Sequence, residues 1–253
     1  MFRPRIIPVL LLRNLGLVKS VRFKDYKYIG DPINAVKIFN DMKADELVFL
    51  DINASRENRC ISLDFVHKVG DEANMPFAVG GGIRTLEDIG NILNNGAEKV
   101  VLNTVAIKND DFVKEASEKF GSSTIVICVD VKKKMFGKDV VTYLGGSKLT
   151  KETPDKYAKK MENYGAGELI IQSIDKDGTY DGYDLDLIRK VSEAVTIPVV
   201  ALGGAGKYRH FKEAVEIGKA SAVAAGSFFV FHGPRRAVLI SFPDRNEIAE
   251  IFM

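Results

Sequence analysis

Asp45-Glu46-Leu47-Val48-Phe49-Leu50-Asp51 and Gly167-Glu168-Leu169-Ile170-Ile171-Gln172-Ser173 follow one pattern: a glutamate, an apolar run, and a polar end. Glu46 and Glu168 stand 122 positions apart, and the same offset carries Gly81-Gly82 onto Gly203-Gly204. At an offset of 119, Arg5-Ile6-Ile7-Pro8-Val9-Leu10-Leu11 aligns with Thr124-Ile125-Val126-Ile127-Cys128-Val129-Asp130. Self-similarity at a fixed spacing is the mark of one structural unit used more than once. The apolar runs are continuous rather than alternating, as in parallel strands buried on both faces.

Working outward, strands are expected over Ile6–Leu12, Leu47–Ile52, Pro76–Gly80, Val100–Asn103, Ile125–Asp130, Leu169–Ile174, Ile197–Leu202 and Ala222–Ala225. Helical patterns lie between them. Asp31-Pro32 and Thr153-Pro154 set a capping residue before a proline at the first helical position. Thr85 and Asp88 have capping-box spacing. Gly121 and Gly218 follow helical stretches, where a left-handed residue is wanted. Pro243 must end or kink any helix it meets, so a short last helix and an irregular tail are expected after Phe231.

Eight strands alternating with helices in 253 residues predict an α/β chain: a single (β/α)8 TIM barrel with internal half-barrel duplication. The domain is expected to span residues 1–253, with halves about 1–122 and 123–253. An open doubly wound sheet is the alternative. It is the weaker one, because Gly80 to Thr85 lacks the last glycine of a dinucleotide fingerprint and Gly203 to Lys207 lacks the first glycine of a P-loop.

Composition narrows the function classes. Lys and Arg number 36 against 34 Asp and Glu, without the basic excess of a nucleic-acid binder. The run Lys132 to Lys134 reads as a solvated loop. The two cysteines, Cys60 and Cys128, make no disulfide framework and suit a reducing cytosol, so a cytoplasmic location is expected. The apolar run from Ile6 to Leu12 is too short for a membrane span and, interrupted by Pro8, a poor signal peptide. No membrane role is expected.

Active sites of such barrels sit at the carboxyl ends of the strands. Glycine there lets backbone amides approach a phosphate. Gly81, Gly82, Asn103 and Thr104 end the third and fourth strands. Gly203, Gly204, Gly226 and Ser227 end the seventh and eighth, where this fold commonly holds phosphate. Two grips on one face imply a small molecule phosphorylated at both ends.

Asp130, at the end of the fifth strand, is the candidate acid/base. A structural ion pair with Lys132 or Lys133 is the competing reading. Asp177 and Gly178 follow the sixth strand, where Asp177 either touches substrate or makes a plain Asp-Gly turn. The three histidines, His67, His210 and His232, form no ligand-spaced pair, so neither a metal nor another cofactor is expected.

These residues resemble the cyclase subunit of imidazole glycerol phosphate synthase, over roughly residues 1 to 232. The strings that carry the resemblance are Gly30-Asp31-Pro32, Asp45 to Asp51, Val79 to Ile83, Asn103-Thr104, Ser173 to Gly178 and Gly203 to Gly206. The resemblance implies a glutaminase partner in a heterodimer, docked on the N-terminal barrel face. It implies ammonia passing through the barrel to a bis-phosphorylated ribulosyl aminoimidazole carboxamide substrate, giving imidazole glycerol phosphate and aminoimidazole carboxamide ribotide. It makes Arg5, Glu46, Lys99 and Glu168 an ammonia gate and Lys19 a substrate contact. Read alone, those four are solvated strand-end charges.

The chain also departs from the family. Leu11 stands where the first of two catalytic carboxylates belongs, and Gln172 and Leu202 replace small hydroxyl residues of the pocket. This pattern, with the string Ala224 to Ile240, resembles a divergent branch associated with surface-polysaccharide biosynthesis, in which ammonia goes to modification of an amino sugar. A non-catalytic docking platform for the glutaminase is a further alternative.

Overall fold

The structure, a computed structural model, describes residues 3–134 and 137–253. Eight parallel strands form a ring: β1 (Arg5–Arg13), β2 (Leu47–Asp51), β3 (Phe77–Gly80), β4 (Lys99–Leu102), β5 (Ile125–Lys133), β6 (Glu168–Ser173), β7 (Val199–Leu202) and β8 (Ala222–Ala225). Each pairs with the next, and β8 returns to β1 in the register Arg5 with Ala222 through Pro8 with Ala225. The barrel expected from the repeat is closed.

Outside lie α1 (Pro32–Asp41), α2 (Leu63–Glu72), α3 (Leu86–Asn94), α4 (Asp110–Phe120), α5 (Pro154–Asn163), α6 (Leu185–Ser192), α7 (Tyr208–Glu216) and α8 (Arg245–Phe252). Successive side chains of a strand point to opposite faces, and this splits the core in two. On β1, Ile6, Leu10 and Leu12 join the layer between strands and helices, while Ile7, Val9 and Leu11 face the lumen. The lumen is filled by small and branched apolar side chains such as Val48, Ala78, Val126, Ile170 and Val200. It is a packed interior with two chemically different ends.

The helix starts follow from local chemistry. Asp31 accepts the Asn34 amide with Pro32 behind it, and Thr85 and Asp88 close a reciprocal capping box. Thr153 occupies the N-cap position of α5, but its side chain takes no helix amide; Pro154 alone marks that start. Gly121 ends α4 at φ +86° as expected. The expectation for Gly218 is corrected: the left-handed residue after α7 is Lys219, at φ +59°. Gly218 is needed instead because a Cβ there would lie 2.6 Å from the Ala214 carbonyl oxygen. A non-glycine residue in the left-handed region carries a steric penalty that glycine lacks. Lys219→Gly is therefore expected to raise unfolding stability by about 0.5–1 kcal/mol, read as a higher urea midpoint at unchanged slope.

The carboxyl-terminal expectation is reversed in order. The irregular part comes first: Phe231–His232 pairs antiparallel with Ala237–Val238, and the regular helix α8 ends the chain. Pro243 bars a helix through it, and Asp244 then caps α8 with a box closed by Glu247. Between them Phe242 meets the rings of Phe39 and Phe229 at 6.4 and 5.4 Å, which ties the tail to the helical layer. Two hairpins were not expected. Gly16–Val21 and Lys24–Gly30 rise from β1, and Asp139–Tyr143 folds back on β5. Both stand on the carboxyl face, over the mouth of the barrel.

Candidate active site

A cavity opens at the carboxyl ends of the strands. Lys19, Gly81, Gly82, Asn103, Thr104, Asp130, Asp177, Gly226 and Ser227 all line it. Gly178, Gly203 and Gly204 do not reach its wall; all three are buried behind it. A Cβ on Gly178 would collide with the Ser20 carbonyl oxygen and one on Gly204 with that of Gly182, so these glycines serve close backbone packing around the mouth.

Asp130 lies on β5 with its side chain in the cavity and is only 8% exposed. Asn103 Nδ2 donates to its Oδ2 at 3.4 Å and to the Cys128 carbonyl at 2.9 Å, and the Cys128 thiol lies 3.6 Å from Oδ1. The ion-pair reading of Asp130 fails on geometry. Lys133 turns outward to Asp139 and Asp184, both at 3.1 Å, and Lys132 is exposed. The lysine run is exposed as expected, though Lys132 and Lys133 belong to the end of β5 and only Lys134 to the loop. Burial without a cation pushes the Asp130 carboxyl up to about 7; the Cys128 thiol opposes the rise and the negative charge of Asp177 adds to it.

Lys19, on the first hairpin, is buried, and its ammonium donates to the Val9 carbonyl oxygen. Burial lowers it to about 7 against the pull of Asp177. Asp177 is neither a bare turn residue nor a free carboxylate. Its Oδ2 accepts the Ser20 hydroxyl at 2.9 Å and the Phe23 amide at 3.4 Å, and its carbonyl accepts the Arg22 amide at 3.0 Å. Burial raises its pKa, and those donors pull it back. Asp177 thus fastens the first hairpin to the loop after β6 while facing the cavity.

Leu11, Gln172 and Leu202 line the same cavity. Leu11 faces in from β1 with no proton to give, so the carboxylates that line the cavity are Asp130, Asp177 and Asp51, the last paired with Arg59 at 2.6 Å. Residues the sequence reading missed complete the mouth: Ser20, Phe23 and Tyr26 from the first hairpin, Arg56 from the loop after β2, and Cys128 in the floor. Arg56 bonds the carbonyls of Leu144 and Gly145 at 3.1 and 3.3 Å, joining that loop to the second hairpin. Among the described residues no cluster of His, Cys, Asp and Glu could hold a metal ion, and no helix is long and apolar enough to cross a membrane.

The opposite end of the lumen is charged. Arg5 pairs with Glu46 and with Glu168, and Lys99 reaches the same two carboxylates at 3.0 and 2.9 Å. The four alternate in sign around the amino ends of β1, β2, β4 and β6. Glu46 and Glu168 are buried, so they are not the solvated strand-end charges a bare reading suggests.

A closed (β/α)8 barrel with a ligand-sized cavity at one mouth and a ring of ion pairs at the other defines a small-molecule-binding barrel whose two faces differ in chemistry. The chain belongs to the family described as histidine biosynthesis protein, whose pattern matches residues 5–233. It is 44% identical over 248 residues to "Putative imidazole glycerol phosphate synthase subunit hisF2" of Pseudomonas aeruginosa, covering 98% of this chain and 99% of that one. It is 43% identical over 249 residues to "Putative imidazole glycerol phosphate synthase subunit hisF3" of Vibrio vulnificus (98% and 95% covered). Against "Putative imidazole glycerol phosphate synthase subunit HisF" of Leptospira interrogans the identity is 39% over 253 residues, the full length of both.

Proposed function

We propose that the chain is an ammonia-using lyase of the imidazole glycerol phosphate synthase type. In this reading a glutaminase docked on the amino face releases ammonia at the ring of Arg5, Glu46, Lys99 and Glu168. The apolar lumen passes neutral ammonia and rejects ammonium, because an unpaired charge there would lose its hydration. At the far mouth a bis-phosphorylated ribulosyl aminoimidazole carboxamide is held by two anion grips. One is formed by Gly81, Gly82, Asn103 and Thr104, the other by Gly226 and Ser227 beside Lys19, with Gly178, Gly203 and Gly204 packing the backbone behind it. Asp130, poised near neutrality, takes the proton of the attacking ammonia and returns it to the leaving nitrogen. Asp177 holds the hairpin closed and keeps a second carboxyl facing the substrate. The products are imidazole glycerol phosphate and aminoimidazole carboxamide ribotide, with the ketone oxygen lost as water when the ring closes.

The observation that carries this reading is the single apolar lumen joining a charge ring at one end to a buried, cation-free Asp130 at the other. The test is direct. The purified chain, given ammonium salt and the ribulosyl substrate, should convert it without a glutaminase. No conversion even at high ammonium would remove the cyclase reading.

One observation favours a second reading. Leu11 and Leu202 make the cavity floor more apolar, Leu11 gives it one proton-transferring group fewer, and Gln172 fills it with a longer side chain. On that reading the barrel keeps its ammonia path and delivers to an amino sugar of surface-polysaccharide biosynthesis. A chain that stimulates its glutaminase yet leaves the ribulosyl substrate untouched would support it.

A further inference from the structure

The anion grip at the β7 and β8 end has a cover of its own, as Arg56 and the second hairpin cover the end at β3 and β4. The Gly182 amide donates to the Gly204 carbonyl at 2.8 Å, and among the described residues the Gly204 N–H has no backbone partner. Gly226 and Ser227 stand beside it at the end of β8, which pairs with β7. Over this end lies Tyr180, in the left-handed region at φ +67°, with its hydroxyl donating to the Ser227 carbonyl at 3.2 Å. Gly206 is a glycine for the same reason: a Cβ there would lie 2.6 Å from that of Tyr180.

The face of Tyr180 holds a guanidinium. Arg236 Cζ sits 4.8 Å from the ring centroid. Arg236 occupies the turn of the Phe231–His232/Ala237–Val238 hairpin, at φ +49°, so a non-glycine residue is kept in a conformation it rarely adopts. The hairpin is tied down behind it, by the Leu239 amide on the Val230 carbonyl and the Ser241 amide on the Phe229 carbonyl. Lys27 of the first hairpin reaches the Arg236 carbonyl at 3.4 Å and lies over the Phe231 ring. Among the described residues no carboxylate pairs with Arg236, which is exposed. A guanidinium stacked on an aromatic face keeps its donor edge free, in a fork that matches phosphate oxygens.

We propose that Arg236, held by Tyr180, is a further binding residue that closes the β7–β8 grip on a phosphate monoester. It adds a charged fork to the backbone amides of Gly226 and Ser227, with Gly204 behind them. This rests on the reading of that end as a phosphate site. It goes further by giving the β7–β8 end a stacked cation of its own, as Arg56, bonded to the Leu144 and Gly145 carbonyls, stands on the side of β3 and β4.

The experiment is a titration of the full chain with inorganic phosphate at constant ionic strength, read as amide shifts of Gly82 and Thr104 for one grip and Gly204 and Ser227 for the other. A charge-assisted bond to phosphate predicts that Arg236→Ala weakens binding at Gly204 and Ser227 about tenfold and leaves Gly82 and Thr104 unchanged. Arg236→Lys should recover part of the loss, and Tyr180→Leu, which removes the platform but not the charge, should reproduce most of it. Equal phosphate affinity at Gly204 and Ser227 in Arg236→Ala and the unaltered chain would overturn the role of Arg236. Phosphate that moved neither Gly204 nor Ser227 in the unaltered chain would overturn the phosphate reading of that end itself.

Discussion

Asp130→Asn should lower kcat/KM of the ammonium-driven reaction by about 10²–10⁴, the range lost when a positioned acid/base is removed. The substitution keeps size and shape. Asn103 and Cys128 still meet an oxygen and a nitrogen where they met two oxygens, so the cavity wall stays in place. What disappears is the proton. The free enzyme should therefore also lose the limb of its pH profile centred near the raised value of Asp130, about 7. Stability should move the other way. In the folded chain Asp130 binds its proton more tightly than an unfolded carboxyl does. Its contribution to stability is full below about pH 4 and is lost as pH rises towards about 7, where it ionises without a partner. The amide of the variant cannot ionise, so denaturant unfolding at pH 8 should show the variant as stable as the parent or more so, while at pH 4 the parent has the advantage. An unchanged kcat/KM in the glutaminase-coupled assay would mean that the barrel is a docking platform and that Asp130 is merely buried.

Much of this architecture could be read in the chain because its signals were local and repeated. The eight apolar runs could hardly be anything but buried parallel strands, and Gly81-Gly82 and Gly203-Gly204 placed the mouth. Boundaries moved where a strand found an unexpected partner: β1 and β5 run on to Arg13 and Lys133 because hairpins pair with their ends. Those hairpins were illegible for a physical reason. Tight hairpin turns usually advertise themselves with Asn-Gly or Asp-Gly. In the first the left-handed positions fall on Asn14-Leu15 and on Arg22-Phe23, which carry no glycine, and tertiary contacts impose the strain; in the second Gly137 stands at φ +74°, without an Asn or Asp before it. Arg22 and Phe23 are held by Asp177, which is far off in sequence. Phe23, Tyr26 and Arg56 escaped notice with them, since nothing local tells a loop side chain that it will roof a cavity. Asp130 was visible as a strand-end acid, but the outcome of its contest with Lys132 and Lys133 was not. That depended on Asp139 and Asp184 drawing Lys133 outward.

The glycines of the mouth were read as places where a ligand comes close, and the structure gives the same residues a second task that makes one of them expensive to change. Gly82 sits at φ +68°, and a Cβ there would collide with the Arg59 carbonyl oxygen and stand 3.0 Å from the Ala54 Cβ. The loop after β2 cannot retreat freely. Arg59 is bonded to Asp51 at 2.6 Å, Asp51 caps the Asn53 and Ala54 amides, and the Ile61 amide is bonded to the Gly81 carbonyl at 2.9 Å. Gly82→Ala must then bear a left-handed alanine, about 1–2 kcal/mol, and a shift of packed backbone, about 1–3 kcal/mol. The expected loss is about 2–5 kcal/mol of unfolding free energy, measured by urea denaturation. The same shift carries the Arg59 loop away from the cavity wall, so phosphate binding read at Thr104 should weaken while that read at Ser227, across the barrel, holds. A Gly82→Ala chain as stable as the parent would mean that the loop yields without cost and that the close approach of the two backbones is incidental to the site. Loss at both ends alike would mean that the whole barrel, and not the β3–β4 grip, depends on this glycine.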